Sequence, residues 1–233
     1  MKKKVKIIIG VVIAICIIAA AVIAGYFGLK KHEVSKYSFD YVKNMVKEGN
    51  DGNKYIHVKT EWFENGENVA VSEVAKDGQK LYMHEGDSQI GYDILVDIEN
   101  SKQYLIYHSE KTIQEASTEA FNEEYMNTFM KRINENAIEF MNREDAQYEF
   151  CGMEKVNEDK CVKVAVSSEE SGTNEKIYFY IRLSDKCVVK MESEEDGAKV
   201  ELVVYYYNDV DSEFAKKFDI DSYTDYERHE VGM

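Results

Sequence analysis

Residues 147–208, QYEFCGMEKVNEDKCVKVAVSSEESGTNEKIYFYIRLSDKCVVKMESEEDGAKVELVVYYYN, decide the fold. Four strand-like runs follow one another: Lys160–Ser167, Asn174–Leu183, Lys186–Ser193 and Ala198–Asn208. Apolar and polar residues alternate along them with period two, the pattern of a sheet covered on one face. Asp196-Gly197 is a two-residue turn signal whose central positions favour φ > 0. A hairpin closed there sets Met191 opposite Leu202, Val189 opposite Val204 and Cys187 opposite Tyr206. A three-residue turn at Leu183-Ser184-Asp185 then sets Phe179 against Val189 and Ile177 against Met191. One continuous apolar face results.

Upstream, the same signals recur. Tyr55–Glu64 and Glu67–Ala75 flank Asn65-Gly66, a strong hairpin signal, and this register pairs Trp62 with Val69 and Val58 with Glu73. The turn at Lys76-Asp77-Gly78 admits two readings. A two-residue turn pairs Val74 with Leu81, and a three-residue loop pairs Val71 with Met83; the second keeps Met83 on the Trp62 face and is preferred. Gln89–Ile98, with Tyr92, Ile94, Val96 and Ile98 on one side, and Lys102–Ser109 complete a five-strand meander. Thr118–Asn142 reads as a long helix. Phe121, Tyr125, Phe129, Ile133, Ala137 and Met141 recur every four residues, and Ser117 or Thr118 is placed to cap it. A stripe that wide must be buried against the sheet, at about 1.5–3 kcal/mol per large side chain. A shorter amphipathic helix is expected over Lys36–Lys47, Phe214 and Phe218 are expected to pack back as a closing turn, and the acidic end from Asp219 is expected to fray.

The N-terminus reads differently. Four lysines lie within residues 2–6, and Ile7–Leu29 then runs 23 residues without a charge. As a helix that run is roughly 34 Å long, enough to cross a ~30 Å hydrocarbon core. A retained anchor is the preferred reading; a signal peptide cleaved near Ala19–Ala24 and a lipid-modified Cys16 are the alternatives. The lysine bias puts the N-terminus in the cytoplasm and the rest outside, a single-pass arrangement at the cell membrane. The first 32 residues hold six lysines and no acid, so the outer portion carries −21 against −15 for the whole chain. Such a charge argues against nucleic acid or an anionic membrane surface as a partner.

The order helix, five-strand meander, long helix, second meander resembles the LolA-like superfamily of outer-membrane lipoprotein carriers and lipoprotein-sorting proteins. The residues that carry the resemblance are Gly152, Glu154, Val156, Lys160, Cys161 and Val164 in a hairpin, Asp185 and Lys190 after a sheet strand, and Tyr205–Phe218 as the closing strand. The resemblance covers residues 36–220 and implies a half-barrel, a curved antiparallel sheet capped by helices that holds acyl chains. Two features depart from the family: Asp219 stands where a proline commonly follows the closing phenylalanine, and a retained anchor would prevent shuttling.

The fold expected is therefore α+β: an N-terminal transmembrane helix, then a curved antiparallel half-barrel sheet capped by helices. Residues 1–32 are read as cytoplasmic stub and anchor, 33–220 as a LolA-like extracytoplasmic domain and 221–233 as an acidic tail. The expected function is a membrane-anchored binding protein of the bacterial cell envelope, with a lipid or lipidated peptide as partner. The alternative is an envelope sensor or protein-interaction module with no small-molecule ligand. The residues expected to line the apolar cavity are Trp62, Met83, Tyr92, Ile94, Phe121, Tyr125, Phe129, Phe179 and Met191, because Met and aromatic side chains suit an adaptable apolar pocket. No enzyme, cofactor or metal is expected. The histidines His32, His57 and His108 look scattered, and His84-Glu85 and His229-Glu230 lack the second histidine of a zinc-protease helix. Asp209, Asp211 and Glu213 begin a calcium-loop spacing that Phe214 and Ile220 then break. Cys151, Cys161 and Cys187 are expected as free thiols or as part of an intermolecular bridge.

Overall fold

Among the described residues the two alternating stretches close on each other in one sheet of twelve strands. The computed structural model describes residues 36–49, 54–87, 91–117, 123–169, 175–195 and 197–230. The apolar run 7–29 lies outside them, and no described helix is long and apolar enough to cross a membrane. The chain divides into two compact units between Val42 and Lys43. Ser38 starts helix α1 (Phe39–Gly49), its Oγ accepting from Tyr41 N at 3.3 Å.

In the second unit the first meander is β1 (His57–Glu64), β2 (Glu67–Asp77), β3 (Lys80–Asp87), β4 (Gly91–Asp97), β5 (Lys102–Tyr107) and β6 (Thr112–Ser117). Helix α2 (Glu123–Met141) leads to the second meander: β7 (Gln147–Val156), β8 (Asp159–Ser168), β9 (Glu175–Arg182), β10 (Val188–Glu195) and β11 (Ala198–Tyr207). Two 3-10 turns, Phe214–Phe218 and Ile220–Ser222, precede β12 (Glu227–Glu230). The order is β12-β6-β5-β4-β3-β2-β1-β11-β10-β9-β8-β7, so the first strand of one meander pairs with the last of the other. Every pairing is antiparallel except β12 on β6. The sheet is open and curved, as the half-barrel reading expected.

The hairpins form where the sequence placed them, but several registers shift. At Asn65-Gly66, both with φ > 0, Glu64 faces Glu67 as expected. A β-bulge then leaves Val69 over, so Trp62 faces Ala70 and Val58 faces Val74 instead of Glu73. That one-residue slip places an apolar side chain beside Val58 and turns Glu73 to the other face, which is the choice burial favours. Between β2 and β3 neither expected pairing occurs. The loop is Gly78-Gln79, and Val74 faces Met83. Met191 faces Leu202 as expected, yet across the neighbouring turn Phe179 faces Met191, two residues away from the register the sequence suggested. The turn after β9 is longer than three residues and a bulge falls at Val189. A shift of two preserves the face. Strand β6 is not among the expected strands: Ser117, expected as a helix cap, is its last residue, and α2 begins at Glu123. At the C-terminus, residues expected to fray form β12 against the β6 edge.

Candidate functional site

Cross-strand pairing sorts the side chains into two faces. On the face under α2, one row runs Trp62, Leu202, Met191, Phe179, Val164. A second runs Tyr206, Val58, Val74, Met83, Ile94, Leu105. Met130 and Ile133 of α2 pack on Val58, Leu202 and Val204, and the Phe140 and Phe179 rings lie 6.0 Å apart. Buried Asn134 pins the helix, its Oδ1 accepting from Val188 N at 2.9 Å. Between α2 and strands β1 to β3 is a void of about 50 Å³ lined by Val58, Val74, Met83 and Ile133 with polar Thr60, Ser72, Glu85 and Arg132.

The residues chosen from the sequence meet different fates on this face. Phe179 is core at 1% exposure, and Met83 is buried in a cluster with Leu81 and Val96 that Ile94 completes. Met191 is half-buried beside Leu202. Tyr92 is half-buried, its hydroxyl donating to Glu85 Oε2 at 3.3 Å. Trp62 is 42% exposed at the open end of its row. Phe121 lies outside the described residues, as do the side chains of Tyr125 and Phe129. Of the chosen residues, Met83 lines the void among the described residues.

The opposite face carries the larger opening, a cleft of about 840 Å³ between β1–β5 and the segment that follows β11. Its apolar side is built on Tyr82, Leu95, Ile106 and Phe218, with Phe214, Tyr223 and Tyr226 packed against them. Asp211 sets the segment's first turn, its Oδ1 accepting from the backbone of Glu213 and Phe214 at 2.9 and 2.7 Å, so this acid serves a turn. Lys217 Nζ lies 3.1 Å from Glu73 Oε2 and over the Tyr82 and Phe214 rings. Burial opposes the Glu73 charge, but His57 and Lys217 prevail and hold the carboxyl down to about 2.

Deeper in the cleft, His84, Asp93 and His108 meet. His84 Nδ1 is 2.6 Å from one carboxylate oxygen of Asp93, and His108 Nε2 is 2.9 Å from the other. Asp93 is 2% exposed, while the two imidazoles open toward the cleft. In the sequence His108 looks scattered and His84-Glu85 reads as an incomplete zinc-protease pair; the signal that joins them is Asp93, an acid between Tyr92 and Ile94 and so on the opposite face of β4 from that row. Cys161 and Cys187 are buried and Cys151 is exposed at a bulge in β7; all three are free thiols. Burial pushes the thiols of Cys161 and Cys187 up to about 11 and about 12, which makes them poor nucleophiles.

No family model matches the chain, and no curated protein does. Among solved structures, LprF from Mycobacterium bovis is similar at 11% identity, with a TM-score of 0.46 over 73% of this chain and 94% of that one. The Mycobacterium tuberculosis lipoprotein LppX is similar at 8% identity, with a TM-score of 0.44 over 75% and 99%. A LolA superfamily protein from Nitrosomonas europaea is similar at 10% identity, with a TM-score of 0.28 over 76% and 97%. At these identities each is a likeness of fold alone.

Proposed function

We propose that this chain is a membrane-tethered extracytoplasmic binding protein that seats an apolar ligand, a lipid or lipidated peptide, between the α2 face of the sheet and α2. One observation supports this most: the apolar surface is wider than its cover. A helix of 19 residues is about 28 Å long and about 10 Å across, whereas twelve strands span roughly 50 Å. One apolar row continues from Met83 beneath α2 to Ile94 and Leu105, and the row across β8–β11 ends on β1 at half-exposed Trp62. The void of about 50 Å³ is a third of the ~150 Å³ that admits a benzene, so a hydrocarbon chain enters only as α2 lifts. Apolar burial at about 0.8 kcal/mol per methylene would drive that exchange.

Trp62, the sole tryptophan, reports on the seat. Full-length protein in detergent-free nanodiscs, titrated with a long-chain fatty acid, should show a blue-shifted Trp62 emission and stronger hydrogen-exchange protection along α2. Native mass spectrometry should find lipid bound in stoichiometric amount. An unmoved spectrum together with a bare mass would refute the lipid reading. The second reading, a sensor or interaction module with a filled sheet, is favoured by the Asn134–Val188 pin, which fastens α2 where a ligand would need it to move.

A further inference from the structure

The α2 face leaves the cluster on the opposite side of the sheet without a task. We propose that His84, Asp93 and His108 bind a divalent transition-metal ion of the zinc class, with its open coordination position turned to the cleft beneath the C-terminal segment. This site stands independently of the lipid reading, which concerns the other face.

The donor set fits the ion. Two imidazole nitrogens and one carboxylate oxygen form the three-ligand set typical of zinc sites that keep a fourth position for solvent or ligand. Calcium and magnesium prefer oxygen donors and would leave the imidazoles unused. The three ligand atoms all lie within 4.8 Å of one another. Around a tetrahedral zinc with bonds of about 2.0–2.2 Å, ligand atoms sit roughly 3.3–3.5 Å apart. The contacts at 2.6 and 2.9 Å reach different oxygens of Asp93 and open by less than about 1 Å, while the widest separation, at most 4.8 Å, closes by up to about 1.5 Å.

The scaffold holds two of the three donors on paired strands. His84 and Asp93 face each other across β3 and β4, and His108 follows β5 directly. The surroundings resemble an outer shell that orients ligands. His108 Nδ1 is 2.8 Å from the Tyr226 hydroxyl, which fixes the ring with Nε2 aimed at Asp93. A Cβ at Gly91 would meet His84 Cε1 at 3.0 Å, so the absence of a side chain there leaves room for the ring. Five acids against three lysines line the cleft, a balance that favours a cation.

The test uses full-length protein in detergent micelles, made with a histidine-free affinity tag, stripped with chelator and titrated with Zn²⁺ and then Co²⁺. One equivalent should bind, and the cobalt form should show visible d–d bands without sulfur charge transfer. His84→Ala and His108→Ala should each weaken binding about 100-fold, and Tyr226→Phe, which removes only the orienting hydroxyl, about 10-fold. His229→Ala should change nothing. His108→Gln, at a more exposed position, supplies the same comparison if His84→Ala fails to fold. The proposal is overturned if zinc does not bind at micromolar concentration, if the His84 and His108 variants bind as the parent does, or if the cobalt spectrum carries sulfur charge transfer and so assigns the metal to cysteine.

Discussion

Arg182 shows how single side chains settle what strand patterning leaves open. Its Nε lies 3.0 Å from both oxygens of Asp185, its Nη1 2.9 Å from Asp159, and the Tyr55 hydroxyl donates to Asp185 Oδ2 as well. This knot holds Lys186 in the left-handed region, lengthens the turn and so moves the β9–β10 register by two. Burial raises the Asp185 carboxyl, but Arg182 and then Tyr55 outweigh it and keep it below its ordinary value of 3.8. A depressed folded-state value means stability that is complete above about pH 4 and drains away as pH falls through the lower folded value. Arg182→Lys replaces a planar fork by a point charge. It should lower unfolding free energy by about 1–3 kcal/mol at neutral pH. Urea titrations at several pH values should also show a shallower acid loss in the variant than in the parent; equal slopes would remove Arg182 as the cause.

At the scale of elements, α2 is joined to the sheet by both apolar and polar contact. Ile133, Ala137 and Met141 are covered as the four-residue stripe expects, whereas Met130 and Phe140, which add burial beside it, lie off that spacing. The polar pin was not legible. Asn134 falls inside the stripe as a misfit until β10 is in place, when its Oδ1 takes the N–H of Val188 beside a bulge. Asn134→Ala leaves that buried N–H without a partner and should cost about 1–3 kcal/mol. Exchange of the α2 amides should speed up in the same variant, whereas a merely exposed asparagine would leave both measurements unchanged. Gly49 shows a similar dependence: a Cβ there would meet Lys186 O at 2.2 Å, so the end of α1 seats only on a residue without a side chain. From sequence alone that glycine reads just as a helix stop.

Across Lys43–Met233, a twelve-stranded open sheet must manage two edges, and it does so differently at each. The β7 edge is bulged at Cys151 and carries Glu149, Glu154 and Lys155. The β6 edge is covered by β12, with Glu227 N donating to Lys111 O at 2.9 Å and Arg228 anchored on Asp221. Deleting residues 224–233 should uncover β6, and size-exclusion chromatography with light scattering should then show concentration-dependent association that the full chain lacks. The same deletion removes Tyr226 and should weaken any metal binding in the cleft by about 10-fold. Sequence determined the alternation, the hairpin sites at Asn65-Gly66 and Asp196-Gly197, and the stripe of α2, because these depend on neighbours within a few residues. Tertiary structure decided the bulges, the long turn at Arg182, β6 and its cover, and the meeting of His84, Asp93 and His108. Those depend on which of several near-equal registers buries the most apolar area while pairing every charge, and that is settled only when distant strands compete for the same partners.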